Sequence, residues 1–342
     1  MNMYNWIDQQ IYDRNKKAFP ILAYPTVQLL FVTVKELVTS SANMAMGMRL
    51  MADRYKMPAA VSYMDLSVEA EAFGATCVYQ ADEVPTIIGR LVDTEEDADN
   101  LVVPKVGAGR TGITVDAIGK ALRLIHDRPV IANCSGPFSL AGRLMNVNDI
   151  LLKTLEEPET VHKVLRKATD FLKKYITKFK RVGADGIILA EPLAGLLSPA
   201  LMQEFSTNYV REIVDALQDK NFIIIYHNCA GGTERLLPQI QGTGCRVFHF
   251  GEKANIEAIL QNMPEDCLIL GNVSVADVFR GSGPHHVRMS TQRLLMQCMN
   301  YNNFMLSSGC DIPGDVDFDF INAFFETVES GYYKRMLWDA IM

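Results

Sequence analysis

The sequence predicts a (β/α)8 TIM barrel carrying N-terminal helical additions. Short apolar runs alternate with longer amphipathic segments about eight times along one 342-residue chain. The runs are apolar throughout, as parallel strands covered on both faces require. No GxGxxG directly follows an early expected strand; the match "GAGRTG" (107–112) lies well beyond them, which argues against an open dinucleotide-binding sheet. No repeat, low-complexity tract or Pro/Ser linker divides the chain, so residues 1–342 read as a single domain.

The elements follow in order. "FPILAY" (19–24) is the first expected strand. Helical sequence spans 34–55, with Met44, Met48 and Met51 at helical spacing as core. "AAVSYMD" (59–65) is the second strand, and "SVEAEAFG" is a short helix stopped by Gly74. "ATCVYQADEVPTIIG" (75–89) suggests a β excursion. A helix at 114–127 delivers "RPVIANCSGPFS", the third strand and a Gly-Pro turn. A long amphipathic helix starts at Glu157-Pro158 and stops at Gly183. Strands follow at 186–192, 222–229, 245–251, 267–273 and 303–310, with helices at 198–220 and 285–300 between them.

Composition narrows the function. The formal charge is −7, from 33 Lys+Arg and 40 Asp+Glu, without a basic stripe, so nucleic acid is not an expected partner. The longest apolar run, 21–34, is interrupted by Pro25, Thr26 and Gln28 and falls short of the roughly 20 residues of a membrane span. The start of the chain has no apolar signal region. Seven widely spaced Cys argue against a disulfide framework. A cytoplasmic protein with reduced thiols, monomeric or homodimeric, is expected.

In a barrel, chemistry sits at the C-terminal strand ends. Strand two ends at Asp65, with Glu69 and Glu71 beyond it; strand four ends at Glu191. Asp65 and Glu191 read as catalytic or substrate-orienting carboxylates, or as caps of nearby helix starts. Strand five ends in "YHNCAGG", with His227 and Cys229, and strand eight ends at Cys310. Two thiols and an imidazole at one barrel mouth suit tetrahedral Zn2+ with an open fourth position. His-x-Cys alone also fits a packed strand end. Cys77, Cys245, Cys267 and Cys298 read as core, and His249 as a structural histidine. His285 and His286 read as exposed.

These residues sit in wider motifs: "DLSVEAEAFGA" (65–75), "CSGPFSLAG" (134–142), "GADGIILAEPLAGLLSP" (183–199), "HNCAGGT" (227–233), "GNVS" (271–274) and "GCDIP" (309–313). Through them the chain resembles the uroporphyrinogen decarboxylase superfamily, and within it the corrinoid-dependent methyltransferases of the methylcobamide:coenzyme M type. The resemblance implies a zinc site at His227, Cys229 and Cys310, with Glu252 as a further acidic ligand when no thiol is bound. It implies transfer of a methyl group from a methylated corrinoid, carried by a small partner protein, to a thiol acceptor such as coenzyme M. Gly136, Gly231 and Asn272 are then the cofactor-facing positions, and Gly232 and Gly309 would also leave clearance. Uroporphyrinogen decarboxylases carry an Arg-rich segment after strand one that pairs with substrate carboxylates. Here that stretch is "AYPTVQLLF", without Arg or Lys, although Asp65 falls near the decarboxylase's essential Asp. A lyase acting through Asp65 is the alternative enzyme, and a non-enzymatic corrinoid- or metal-binding homologue is the other.

Overall fold

The computed structural model describes residues 1–13 and 15–331. Its strands are β1 (Ala60–Val61), β2 (Thr76–Val78), β3 (Thr86–Ile88), β4 (Val130–Ser135), β5 (Gly186–Ala190), β6 (Ile223–Asn228), β7 (Val247–Phe250), β8 (Leu268–Val273) and β9 (Phe304–Ser308). Seven of them form one parallel sheet in the order β1-β4-β5-β6-β7-β8-β9. Each strand of this sheet therefore lies beside the sheet strand before it in the chain, with helices between. Strands β4 to β9 are buried at every position, which is why they read as unbroken apolar runs. The expected excursion is the antiparallel hairpin β2–β3.

The first of the eight expected strands differs. Segment 19–24 lies beside β9 but forms no ladder: Ala18 bridges Leu306, Phe19 N–H donates to the Leu306 carbonyl (2.8 Å), and Ile21 N–H turns to Ser308 Oγ (3.1 Å). Pro20 supplies no N–H, which breaks the run. The sheet is seven-stranded, and no ladder joins 19–24 to β1 among the described residues. The second strand is also shorter than expected, because past Val61 the chain turns and Met64 N–H goes to the Asp311 carboxylate (3.1 Å).

Local side chains set the helix boundaries. The expected helix at 34–55 splits into Val34–Val38 and Ser41–Arg54. Thr33 and Glu36 form a capping box for the first, and Ser40 Oγ accepts from Asn43 N–H to start the second. Met44, Met48 and Met51 are buried, as the spacing predicts. The long helix Pro158–Val182 begins on proline and ends at Gly183, whose φ of 106° only glycine adopts freely. Val161, Leu165, Ala168, Leu172, Tyr175 and Phe179 form its buried stripe. The helix expected at 198–220 is interrupted by a π-helical turn, Gln203–Thr207. Among the described residues, no helix is long and apolar enough to cross a membrane.

Two glycine substitutions test this packing with opposite signs. A Cβ at Gly186 in β5 would lie 2.6 Å from the Ile223 carbonyl oxygen, so Gly186→Ala should destabilise the fold by about 1–3 kcal/mol. In the helix Thr111–Ala121, a Cβ at Gly119 would meet only Val182 at 3.9 Å, so Gly119→Ala should stabilise by about 0.5–1 kcal/mol. Denaturant unfolding of both variants checks the pair.

Candidate metal centre

Three chain segments meet at the C-terminal side of the sheet. β6 ends with His227 and Asn228, and Cys229 follows immediately. β7 runs into Gly251 and Glu252, and β9 into Gly309 and Cys310. Their approach depends on small residues. A Cβ at Gly251 would lie 2.7 Å from Cys229 Cβ, and one at Gly309 would lie 2.6 Å from the Glu252 backbone nitrogen. Asn272 fixes the middle segment by donating its amide to the Gly251 and Ala254 carbonyls, both at 2.8 Å.

This convergence places a ring nitrogen of His227 and the sulfurs of Cys229 and Cys310 within 4.8 Å of one another. His227 Nδ1 is 2.7 Å from His249 Nδ1, leaving Nε2 as the free ring nitrogen. That atom is buried and has no hydrogen-bond partner, an arrangement that is unfavourable unless something else occupies it. The two thiols interact directly. A hydrogen bond from Cys310 holds the Cys229 thiol below its ordinary range, and the same bond, with burial, pushes Cys310 up to about 12. The pair thus holds one negative charge more readily than two. A cation would relieve both the bare nitrogen and the shared proton. Tetrahedral Zn2+, with sulfur at about 2.3 Å and nitrogen at about 2.1 Å, would draw these atoms closer together than the 4.8 Å within which they now lie. The set of one imidazole and two thiolates therefore fits zinc and leaves one position open.

Glu252 adjoins this group, but its Oε2 accepts from Val275 N–H at 2.6 Å. Gly231 lies two residues after Cys229, and a Cβ there would meet Lys253 Cβ at 3.5 Å. The space beside Gly136 belongs to Glu191, whose Cγ would lie 2.6 Å from a Cβ there, and that beside Gly309 to Glu252, so both glycines have an internal packing reason.

The carboxylates lie around the neighbouring strand ends. Glu191, fully buried, accepts from Phe138 N–H (2.7 Å) and Ser139 N–H (2.8 Å) at the start of the helix Pro137–Met145. This is the capping geometry, favoured by the helix dipole. Burial nevertheless pushes its carboxyl up to about 7. Glu69 accepts from Ser135 Oγ (3.0 Å), and burial raises it to about 7 as well. Asp65 pairs with Arg110, which also reaches Glu71 (2.7 Å) and Ser67 Oγ (2.6 Å). Arg110 carries no periodic signal in "GAGRTG" and was not legible as a site residue. Arg143 lies in the same neighbourhood; burial lowers its guanidinium, while Glu69, Asp65, Glu191 and Cys229 oppose that.

The fold and site define a class, and comparison with known proteins agrees. Residues 28–331 match the uroporphyrinogen decarboxylase (URO-D) family, and the chain belongs to that family. It is similar to the methylcobamide:CoM methyltransferase MtbA of Methanosarcina acetivorans, with 27% identity over 255 residues covering 72% of each chain. It is also similar to the uroporphyrinogen decarboxylase of Hydrogenovibrio crunogenus, with 24% identity over 287 residues covering 81% of this chain and 79% of that one. A solved methyltransferase from Methanosarcina mazei shares the fold at a TM-score of 0.85 and 18% identity, over 97% of this chain and 99% of that one.

Two predictions follow from the carboxylate network. Arg110→Met strands the buried Asp65 and should destabilise by about 3–5 kcal/mol, read by denaturant unfolding. Glu69 has a folded value near 7, above the ordinary 4.5. Its contribution to stability is therefore complete below pH 4.5 and is lost as pH rises through 7. Glu69→Gln removes that dependence, so its melting temperature should gain on wild type between those limits; a constant difference would refute the assignment.

Proposed function

We propose that this protein is a zinc-dependent methyltransferase that moves a methyl group from a methylated corrinoid to a thiol acceptor of the coenzyme M kind. The observation that carries the reading is the convergence of Cys229 and Cys310 on a buried His227 whose Nε2 has no other partner. Similarity to the methylcobamide:CoM methyltransferase MtbA supports it.

His227, Cys229 and Cys310 would hold the metal. When bound, Zn2+ lowers a thiol's pKa and so keeps the acceptor sulfur as its nucleophilic thiolate at neutral pH. In the transfer, the acceptor sulfur bonds to the methyl carbon as the carbon–cobalt bond breaks. The electron pair of that bond stays on cobalt, the thiol proton goes to solvent, and a thioether and Co(I) corrinoid result. Two sulfur ligands from the chain supply negative charge, which preserves electron density on the acceptor.

Glu252 is the acidic group we assign as displaceable ligand; the role requires it to turn away from Val275 N–H. Gly136, Gly231 and Asn272 are the edge we assign to the corrinoid, and Asp65 and Glu191 the carboxylates we assign as catalytic or substrate-orienting. The corrinoid would arrive on a small partner protein docking there. We read the chain as one domain, a closed (β/α)8 barrel with 19–24 as its eighth stave; the Ala18–Leu306 bridge supports this. The seven free cysteines suit the reducing cytoplasm. A lyase acting through Asp65 is less well supported, because that carboxylate is already committed to Arg110 and Ser67.

The test is demethylation of methylcobalamin by thiols, followed by absorbance, alongside zinc analysis. Wild type should carry one zinc per chain and turn over. Cys229→Ser and Cys310→Ser should lose the zinc and lower the rate by more than about 100-fold. Full turnover by zinc-free protein would defeat the proposal.

A further inference from the structure

A chain of hydrogen bonds runs from the sheet interior to the candidate metal centre. Ser307 Oγ, on β9, is 2.8 Å from the Phe19 carbonyl oxygen. A carbonyl only accepts, so the single serine proton is committed there. Ser307 Oγ is also 2.8 Å from His249 Nε2, on β7. The serine must accept in that contact, so His249 carries its proton on Nε2. His249 Nδ1 in turn lies 2.7 Å from His227 Nδ1. Both rings are almost fully buried, and no carboxylate hydrogen-bonds to either among the described residues. In a neutral His249 protonated at Nε2, Nδ1 is a lone pair, and His227 must donate to it. The proton of His227 is then on Nδ1, and its Nε2 lone pair is bare beside the two sulfurs.

We infer that His249 is a positioning residue: through Ser307 and the Phe19 carbonyl it fixes the tautomer and ring orientation of His227 that a metal requires. The inference rests on the metal reading of the site. It also gives segment 19–24 a role. That segment forms no ladder, yet its Phe19 carbonyl orients the whole relay. Outer partners of this kind hold ligand rings in many metal sites, and their loss lowers metal affinity about 10–100-fold. His249 sits directly opposite His227 in the β6–β7 register, so the sheet itself sets the contact.

Nitrogen NMR of isotope-labelled histidine rings in the metal-free protein reads the tautomer, and chelator competition reads zinc affinity. Wild type should show His227 protonated at Nδ1 and bare at Nε2. His249→Phe removes the acceptor and should lose that preference and about 10–100-fold in zinc affinity. His249→Asn, whose side-chain oxygen takes the place of Nδ1, should restore both. Ser307→Ala, a smaller change less exposed to misfolding, should loosen the His227 tautomer by freeing His249 to flip. A wild-type His227 protonated at Nε2, or a His249→Phe variant with unchanged tautomer and affinity, would overturn the inference. Should Cys229→Ser bind zinc as wild type does, the metal reading fails, while the NMR result still decides the role of His249.

Discussion

Gly251 and Gly309 let the loops after β6, β7 and β9 close on one another, and the candidate site depends on that contact. A side chain at either position would push into the backbone or Cβ of a neighbouring loop. With both absent, the sulfurs of Cys229 and Cys310 come within 4.8 Å, although β6 and β9 are separated by two strands. The parallel sheet supplies the rest. Its register sets His227 against His249, and its last strand sets Ser307 behind them. The three candidate ligands therefore sit on a strand or one to two residues beyond one.

The mouth is electrostatically divided. On one side are sulfur and imidazole, with one ring nitrogen bare. On the other are Asp65, Glu69 and Glu191, each already engaged: Asp65 by Arg110, Glu69 by Ser135, Glu191 by a helix start. Burial raises the carboxyls of Glu69 and Glu191 to about 7, so near neutral pH this side holds less negative charge than its composition implies.

Much of this was legible in the sequence, for identifiable reasons. Strand runs such as "FIIIYHN" are apolar because both faces are covered, and the helix from Pro158 to Gly183 carries its start and its stop signal. His227, Cys229 and Cys310 were legible because strand ends share one mouth. Segment 19–24 misled because Pro20 removes a donor without altering the apolar pattern. The split at Thr39-Ser40 was hidden by a continuous helical period that a serine cap overrides. Arg110 and the His249 relay were not legible, because pairing across long sequence separations leaves no periodic trace. Glu191 carried both of its readings in the sequence, and its two backbone donors supply the capping contact.

The central claim is that Cys229, Cys310 and His227 hold zinc with one position left for a thiol. X-ray absorption at the zinc edge measures this directly. Two sulfur and two nitrogen or oxygen neighbours are predicted at rest, with a third sulfur replacing one light neighbour when a thiol acceptor is added. A zinc with no sulfur neighbours, or a sulfur count that the thiol leaves unchanged, would contradict the account.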